Sequence, residues 1–398
     1  MESDNGKKVL ITGGAGYVGQ VLLQNIPDSW KTTVIDNVYV GNQDFSPSSN
    51  VEFVKGDIRN ESLMEELITK NDAVIHLAGI VGDSCPKNPK SAEEVNVDAT
   101  EKIAKFCKKS NKRLVFMSTC SVYGFNEKTC NEDTAPNPLN AYSHHKVLGE
   151  NVIKENVDDY IIFRMGTVYG WSPRMRFDLG INLFIEKSLW GETIQVFGGN
   201  QWRPLTHVKD ASRALVMGVE KSELNTTLNL VGENHLILDI AKKISNDVEI
   251  VDYKDDNRSY KVENSRILNE LEWTPKMEVL SAKDEFKKVE YQKDIFYKIL
   301  DNQRSSGLNL KLCDQGKLEF EVRFKSINWE TYHQNDPFKM SGLALYKWSP
   351  IAENLKTLDK EIVLNGNDVV PQVTWGTSPP VSYTHLRAHE TLRYLVCR

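Results

Sequence analysis

Val9-Leu-Ile-Thr-Gly-Gly-Ala-Gly-Tyr-Val-Gly19 is the stretch on which the fold turns. Four apolar or β-branched residues, a strand signal, run straight into a glycine cluster, and a helical pattern opens at Tyr17. The glycines read as GxGxxG (Gly14, Gly16, Gly19) or as GxxGxxG (Gly13, Gly16, Gly19), and the chemistry is the same either way. They allow a tight turn and let the backbone approach a pyrophosphate, whose charge then sits at the helix N-terminus with Tyr17 and Val18 in the first turn. A glycine cluster alone is a weak signal. Here an acidic residue, Asp36, closes the next strand-like run at Val34-Ile-Asp-Asn37. That carboxylate suits the ribose hydroxyls of an adenosine and repels a 2′-phosphate, so the reading favours NAD over NADP.

Outward from this turn, strand-like runs at 9–12, 33–35, 51–54, 73–76, 114–117 and 160–163 alternate with helix candidates at 17–26, 60–70, 91–110 and 141–156. Strand and helix in alternation predict a Rossmann-like, doubly wound parallel sheet covered on both faces, an α/β fold. After residue 165 the pattern becomes irregular, with helices near 178–190, 207–220 and 238–246 and a short strand at Leu228-Asn-Leu230. We expect residues 1–165 to be mainly the NAD-binding domain. Residues 166–300 are expected to form mainly a smaller substrate-binding lobe, with strands and helices free to interleave, ending in a charged helix from about 280 to 300.

Composition removes several function classes. Lys+Arg 49 against Asp+Glu 55 gives a formal charge of −6, which supplies no global electrostatic reason to bind nucleic acid or an anionic membrane. Mean hydropathy is −0.44. No apolar run approaches the roughly 18 residues needed to span a bilayer. The polar start, Met1-Glu-Ser-Asp-Asn5, lacks a secretory pattern, and the six cysteines are scattered without CxxC or Cys/His pairing. The expectation is a reducing cytoplasm, free thiols and no metal site.

From Asp301 the register breaks. Residues 302–307 read as a linker, Lys317-Leu-Glu-Phe-Glu-Val-Arg-Phe324 alternates with period two, and no internal repeat is found. Pro371-Gln-Val-Thr-Trp-Gly-Thr-Ser-Pro379 resembles a short piece of the large subunit of isopropylmalate dehydratase, without its cysteine ligands. Val381-Ser-Tyr-Thr-His-Leu-Arg-Ala-His-Glu-Thr391 resembles the translation of a transposase adapter used in short-read sequencing, and Leu395-Val-Cys-Arg398 fits its flank. We read 381–398 as an artefact and 301–380 as a linker followed by an appendage or a chimeric segment. No function is hung on either.

Over residues 7–300 the chain resembles the extended short-chain dehydrogenase/reductases, in their nucleotide-sugar epimerase/dehydratase family. The motifs are the glycine turn with Asp36-Asn37, Gly56-Asp-Ile-Arg59, His76-Leu-Ala-Gly79, Asn96-Val97 and Tyr142-Ser-His-His-Lys146, in order. The resemblance implies adenine contacts at Asp57 and Ile58, a turn beneath the cofactor at Leu77, Ala78 and Gly79, and a mainly structural Asn96. It also implies a homodimer.

Tyr142 and Lys146, four residues apart, share one face of a helix that starts after Pro138 with Asn140 as a candidate cap. A tyrosine with pKa near 10 is a poor base at neutral pH, and a neighbouring Lys and a positive nicotinamide ring both favour its phenolate. By resemblance Thr119 hydrogen-bonds the substrate hydroxyl, Tyr142 is the acid/base, and Lys146 also grips the nicotinamide ribose. The family's dehydratases carry Asp-Glu after that Thr, and its decarboxylases a Glu in the second place. Here the pair is Cys120-Ser121, with Cys120 read as a small buried thiol. The missing carboxylate argues for simple inversion at C4 of a nucleotide-linked hexose, UDP being the expected nucleotide.

In the lobe the resemblance assigns substrate contacts to Asn182, Arg203 and Arg258, the arginines clamping the diphosphate bidentately. Thr167 stands where many epimerases carry Asn, and Pro204 replaces the usual Asp. His144 and His145 are expected to be exposed and His207 structural, and Arg174-Met-Arg-Phe177 is read as a gating lip. Two other readings stay open: a reductase or a different epimerase of the same family, and a non-catalytic NAD-binding scaffold.

Overall fold

The computed structural model describes residues 6–38, 45, 50–82, 84–189, 191–222, 224–252, 258–286, 309–312 and 318–321. In chain order the elements to residue 119 are β1 (Lys8–Thr12), α1 (Tyr17–Leu23), β2 (Lys31–Asp36), β3 (Val51–Lys55), α2 (Glu61–Lys70), β4 (Ala73–His76), α3 (Ser84–Lys87), α4 (Pro89–Glu93), a π-turn (Glu94–Asp98), α5 (Ala99–Lys109) and β5 (Arg113–Thr119). A 3₁₀ turn (Cys120–Tyr123), α6 (Ala141–Asn156), β6 (Tyr160–Met165), β7 (Thr167–Tyr169), α7 (Gly180–Leu189), β8 (Ile194–Phe197), β9 (Trp202–His207) and α8 (Val208–Glu220) follow. The last are β10 (Thr226–Leu230), β11 (Glu233–Leu236), α9 (Ile237–Ile244), β12 (Val248–Val251), α10 (Ser265–Glu270), α11 (Val279–Phe286), β13 (Asn309–Leu312) and β14 (Leu318–Glu321).

Seven parallel strands form the main sheet in the order β10-β6-β5-β4-β1-β2-β3. Because side chains alternate across a strand, consecutive residues feed two cores. Val9, Ile11, Val34, Ile75, Val115 and Phe163 pack on the face of α1 and α8. Leu10, Ile35, Val74, Leu114, Phe116 and Ile162 pack against α2, α5 and α6. Burial on both faces explains why these strands read as continuous apolar runs. Strand order reverses between β1 and β4, which opens the crevice at their C-terminal ends where ligands of such sheets bind. The glycine turn follows β1 and Leu77-Ala-Gly79 follows β4, joined where the Leu77 N–H donates to the Thr12 carbonyl at 3.1 Å.

A smaller assembly lies beyond residue 166: a three-stranded sheet β11-β9-β7, the parallel pair β12-β8, and helices α7, α9 and α11. Two elements from that half of the chain return to the main sheet. Strand β10, containing the run expected at Leu228–Leu230, pairs in parallel with β6, and α8 packs beside α1. The 91–110 helix is broken into α4, the π-turn and α5, and from the π-turn the Asn96 side chain pairs with both backbone groups of Ile80, accepting its N–H and donating to its carbonyl at 2.8 Å each. Of the helix expected at 280–300 the part to Phe286 is described, and of the period-two run Leu318–Glu321, which pairs with β13 as a separate hairpin. The segments at 371–379 and 381–398 lie outside the described residues.

Candidate active site

Helix α6 begins where its sequence says it should. The Asn140 side chain accepts the Ser143 N–H at 2.8 Å, and the Ser143 hydroxyl reciprocates, a capping box that fixes the first turn. Tyr142 and Lys146 then emerge on one face towards the end of β5. Lys146 is buried; its Nζ donates to the Met117 carbonyl at 2.8 Å and lies 4.6 Å from the Phe116 ring centroid and 5.9 Å from that of Tyr142. Thr119 ends β5 half-buried, its Oγ1 accepting the Ser121 N–H at 3.1 Å and pairing with the Ser121 hydroxyl at 3.0 Å.

Burial dominates the electrostatics here. It raises Tyr142 to about 12, with Arg176 pulling the other way and Cys85 adding to the rise; the lowering expected from Lys146 is not found in the chain alone, because burial outweighs the charges around the phenol. It lowers Lys146 to about 8, against which Cys85 and Glu150 favour the ammonium. Arg176 therefore belongs to the site: it stands in the 174–177 lip, ion-paired to Asp178 at 2.5 Å. Cys85, from α3, also faces this pair of residues. Arg176 lies in the lip that the sequence singled out, without an assigned role, whereas nothing around Cys85 marked it. Cys120 is fully buried, donates to the Arg164 carbonyl at 3.0 Å and has its thiol pushed far up by burial, which leaves no thiolate to act as a nucleophile.

The residues expected to hold a dinucleotide are gathered along the β1/β4 crevice. Gly13 has φ +73°, and a Cβ there would stand 2.7 Å from the Ala78 nitrogen, so the turns after β1 and β4 are in contact only because Gly13 has no side chain. Gly16 caps α1 without a side-chain bond, and a Cβ on Gly19 would meet the Gly14 Cα at 2.5 Å, which lets the helix close on the turn. Val18 is half-buried, whereas Tyr17 turns inward: its hydroxyl donates to the Gly170 carbonyl at 2.6 Å. Asp36 accepts the N–H groups of Ala15 at 3.0 Å and Val38 at 2.8 Å, with its pKa raised by burial. Val38 pays for that bond with φ 52°, a left-handed conformation costly for a β-branched residue.

Exposed Asn37 lies beside Asp57, which Arg59 grips at 2.7 and 3.0 Å while bonding Glu94 at 2.9 Å; Ile58 is buried. Leu77, Ala78 and Gly79 are half-buried. A Cβ on Gly79 would come within 3.1 Å of Asn96 Oδ1 and 3.8 Å of Lys146 Nζ. Bare backbone at the turn, a carboxylate at the end of β2 and a glycine facing the ammonium fit a dinucleotide laid from β2 towards α6.

In the lobe, Arg203 and Arg258 are brought together, the Arg203 guanidinium donating to the Arg258 carbonyl. Asn182 is placed differently from a ligand contact. It is wholly buried, its Oδ1 accepting the Gly170 N–H at 2.9 Å and its amide donating to the Tyr17 hydroxyl at 3.2 Å and the Arg176 carbonyl at 2.9 Å. In this structure Asn182 ties the lip to the glycine turn.

His144 is exposed, but the expectation for His145 is overturned: it is buried, on the side of α6 that faces Glu93, and burial lowers its pKa. His207 is buried at the N-cap of α8, accepting the Lys209 N–H at 3.2 Å and standing 3.3 Å from Glu285. No cluster of three or more metal-ligating side chains occurs among the described residues, and none of the helices there is long and apolar enough to cross a membrane.

A family model described as the NAD dependent epimerase/dehydratase family matches residues 9–230. A putative UDP-glucose 4-epimerase of Methanocaldococcus jannaschii is 32% identical over 229 residues, covering 54% of this chain and 75% of that protein. A UDP-N-acetyl-alpha-D-glucosaminuronate decarboxylase of Bacillus cytotoxicus is 30% identical over 257 residues, covering 60% and 79% respectively. The solved UDP-glucuronic acid 4-epimerase of Bacillus cereus, in complex with UDP-glucuronic acid and NAD, superposes with TM-score 0.63 at 26% identity, over 72% of this chain and 99% of that one.

Proposed function

The chain belongs to the NAD-dependent epimerase/dehydratase family, and from that membership we propose that it inverts C4 of a UDP-linked hexose through a transient 4-keto sugar. The cofactor is NAD. The observation that carries the choice of reaction is the end of β5. The two positions after Thr119 hold a buried thiol engaged with the Arg164 carbonyl and a hydroxyl paired with Thr119. Neither can serve as the extra carboxylate acid/base that expelling water would require.

Bound NAD supplies the hydride acceptor and, after the sugar turns over, the hydride donor. The rest falls to the chain. Thr119 orients the C4 hydroxyl; Tyr142, which burial holds as the phenol in the chain alone, would take that proton as phenolate only with the positive nicotinamide ring beside it and later return it, and Lys146 would hold the nicotinamide ribose. Asp36 receives the adenosine ribose, with Asp57 and Ile58 beside the adenine. Arg203 and Arg258 meet the diphosphate, where a pair of planar guanidinium groups gives directional contacts. Because the cofactor is restored in each cycle, no reductant is consumed.

The test is incubation of purified protein with UDP-, GDP- and dTDP-hexoses, without added NADH, following anomeric and C4 proton signals by NMR beside Tyr142→Phe. Inversion at C4, reduced at least a thousandfold in the variant, is expected. Conversion of keto-sugars only when NADH or NADPH is supplied would replace the epimerase with a reductase.

A further inference from the structure

Behind the proton-transfer pair lies a buried ion pair that the proposed reaction does not use. Glu150 stands one helical turn after Lys146 on α6 and is 1% exposed; Arg164, on β6, is 3% exposed. They meet bidentately, Nη2 to Oε2 at 2.7 Å and Nε to Oε1 at 3.0 Å. The Ser118 hydroxyl donates to Glu150 Oε1 at 2.6 Å. Arg164 Nη1 donates onward to the Tyr123 hydroxyl at 3.0 Å and the Glu132 carbonyl at 3.2 Å, and Tyr123 donates to Asn229 Oδ1 at 2.7 Å.

Apolar side chains of similar volume would hold a helix to a sheet at least as well as a buried ion pair does, so attachment alone does not account for it. A charge pair adds direction. Lys146 bonds the carbonyl of Met117 and Glu150 bonds the hydroxyl of Ser118, so two successive turns of α6 are tied to two successive residues of β5. The next residue is Thr119. We propose that Glu150 is a positioning residue for the proton-transfer pair: through Ser118 and Arg164 it fixes the rotation and height of α6 so that Tyr142 and Lys146 converge on Thr119. This rests on the epimerase reading for its kinetic consequences, not for its geometry.

The Lys146 ammonium is faced by Cys85 from α3, His76 from β4, and Tyr142 and Glu150 from its own helix. Glu150 is in turn faced by Arg164 from β6, Lys154 on α6 and Cys120 after β5.

The experiment compares Ser118→Ala, Glu150→Gln and the double variant Glu150→Gln/Arg164→Met, which removes the unpaired buried cation that could unfold the single variant. Two quantities are read: kcat and KM for the nucleotide sugar, and the titration of Lys146 in the full, cofactor-free chain by NMR of ¹³Cε-labelled lysine. A slight misplacement of reacting groups costs about tenfold to a hundredfold in rate. Losses of that size in kcat are expected in Ser118→Ala and in the double variant, with KM within about twofold. In Glu150→Gln the Lys146 titration should move to lower pH. The proposal is overturned if Ser118→Ala turns over at the wild-type rate, or if the double variant recovers kcat together with thermal stability. A wild-type chain silent on every nucleotide sugar whose Lys146 titration still shifts in Glu150→Gln would sink the epimerase reading and leave the positioning role standing.

Discussion

Lys146 holds its proton against its surroundings. Burial brings it to about 8 from the ordinary 10.5, so its ammonium persists at neutral pH with help from Cys85 and Glu150. A folded-state pKa below the unfolded one means the folded chain binds fewer protons between those values. Stability therefore rises as pH goes from about 8 to 10.5, and below 8 the charged lysine is a standing cost. Lys146→Met should stabilise the fold by about 1–2 kcal/mol at pH 7: the fall from 10.5 to about 8 corresponds to about 3–4 kcal/mol, and losing the bond to the buried Met117 carbonyl gives back about 1–3 kcal/mol. The same change should abolish turnover. Denaturant unfolding of wild type and variant checks the first expectation; a variant less stable than wild type contradicts it. The free enzyme's kcat/KM should also fall as pH rises past about 8, where the ammonium is lost.

Helix α11 is pinned to the loop that supports the glycine turn. Burial opposes ionisation of Glu285, but His207 and Lys209 outweigh it and hold the carboxyl at about 2. Glu285 also accepts the Trp171 N–H at 3.4 Å, and the preceding Gly170 receives the Tyr17 hydroxyl. Because the folded pKa lies below the ordinary 4.5, this contribution is complete above about pH 4.5 and is lost as pH falls towards 2. Glu285→Gln should flatten the fall of melting temperature across that window, and an unchanged acid profile would refute the assignment. Gly170 itself has φ +111°, and a Cβ there would stand 2.5 Å from His207 Nε2. Gly170→Ala should cost about 2 kcal/mol or more in stability, through backbone strain and overpacking together. It should also raise the apparent Kd for NAD in a fluorescence titration, since Gly170 carries the Tyr17 bond.

At the scale of the whole molecule, every side chain assigned to cofactor or substrate lies between Gly13 and Arg258. Among the described residues, strands β13 and β14 pair with each other and with no strand of the main sheet. Truncation after Arg304 should accordingly leave kcat and KM within about twofold and the melting transition intact. A truncated chain that loses turnover would show that the appendage contributes to the site.

The Rossmann-like sheet, the glycine turn, Asp36 and the start of α6 were legible because each is local: strand alternation, a cap three residues from its partner, a phenol and an ammonium one turn apart. Asn182, read as a ligand contact, is spent on Tyr17 and Gly170, 165 and 12 residues away. Glu150 meets Ser118, 32 residues back, and Arg164, 14 residues on. Residues this far apart leave no periodic trace. The same holds for His145, which was expected in solvent and is buried in the fold. Local spacing determined which chemistry the chain could carry, because helix and strand geometry are set within a few residues. Only the tertiary structure decided which polar groups line the site and which are consumed in holding it. Burial and pairing are properties of neighbours in space.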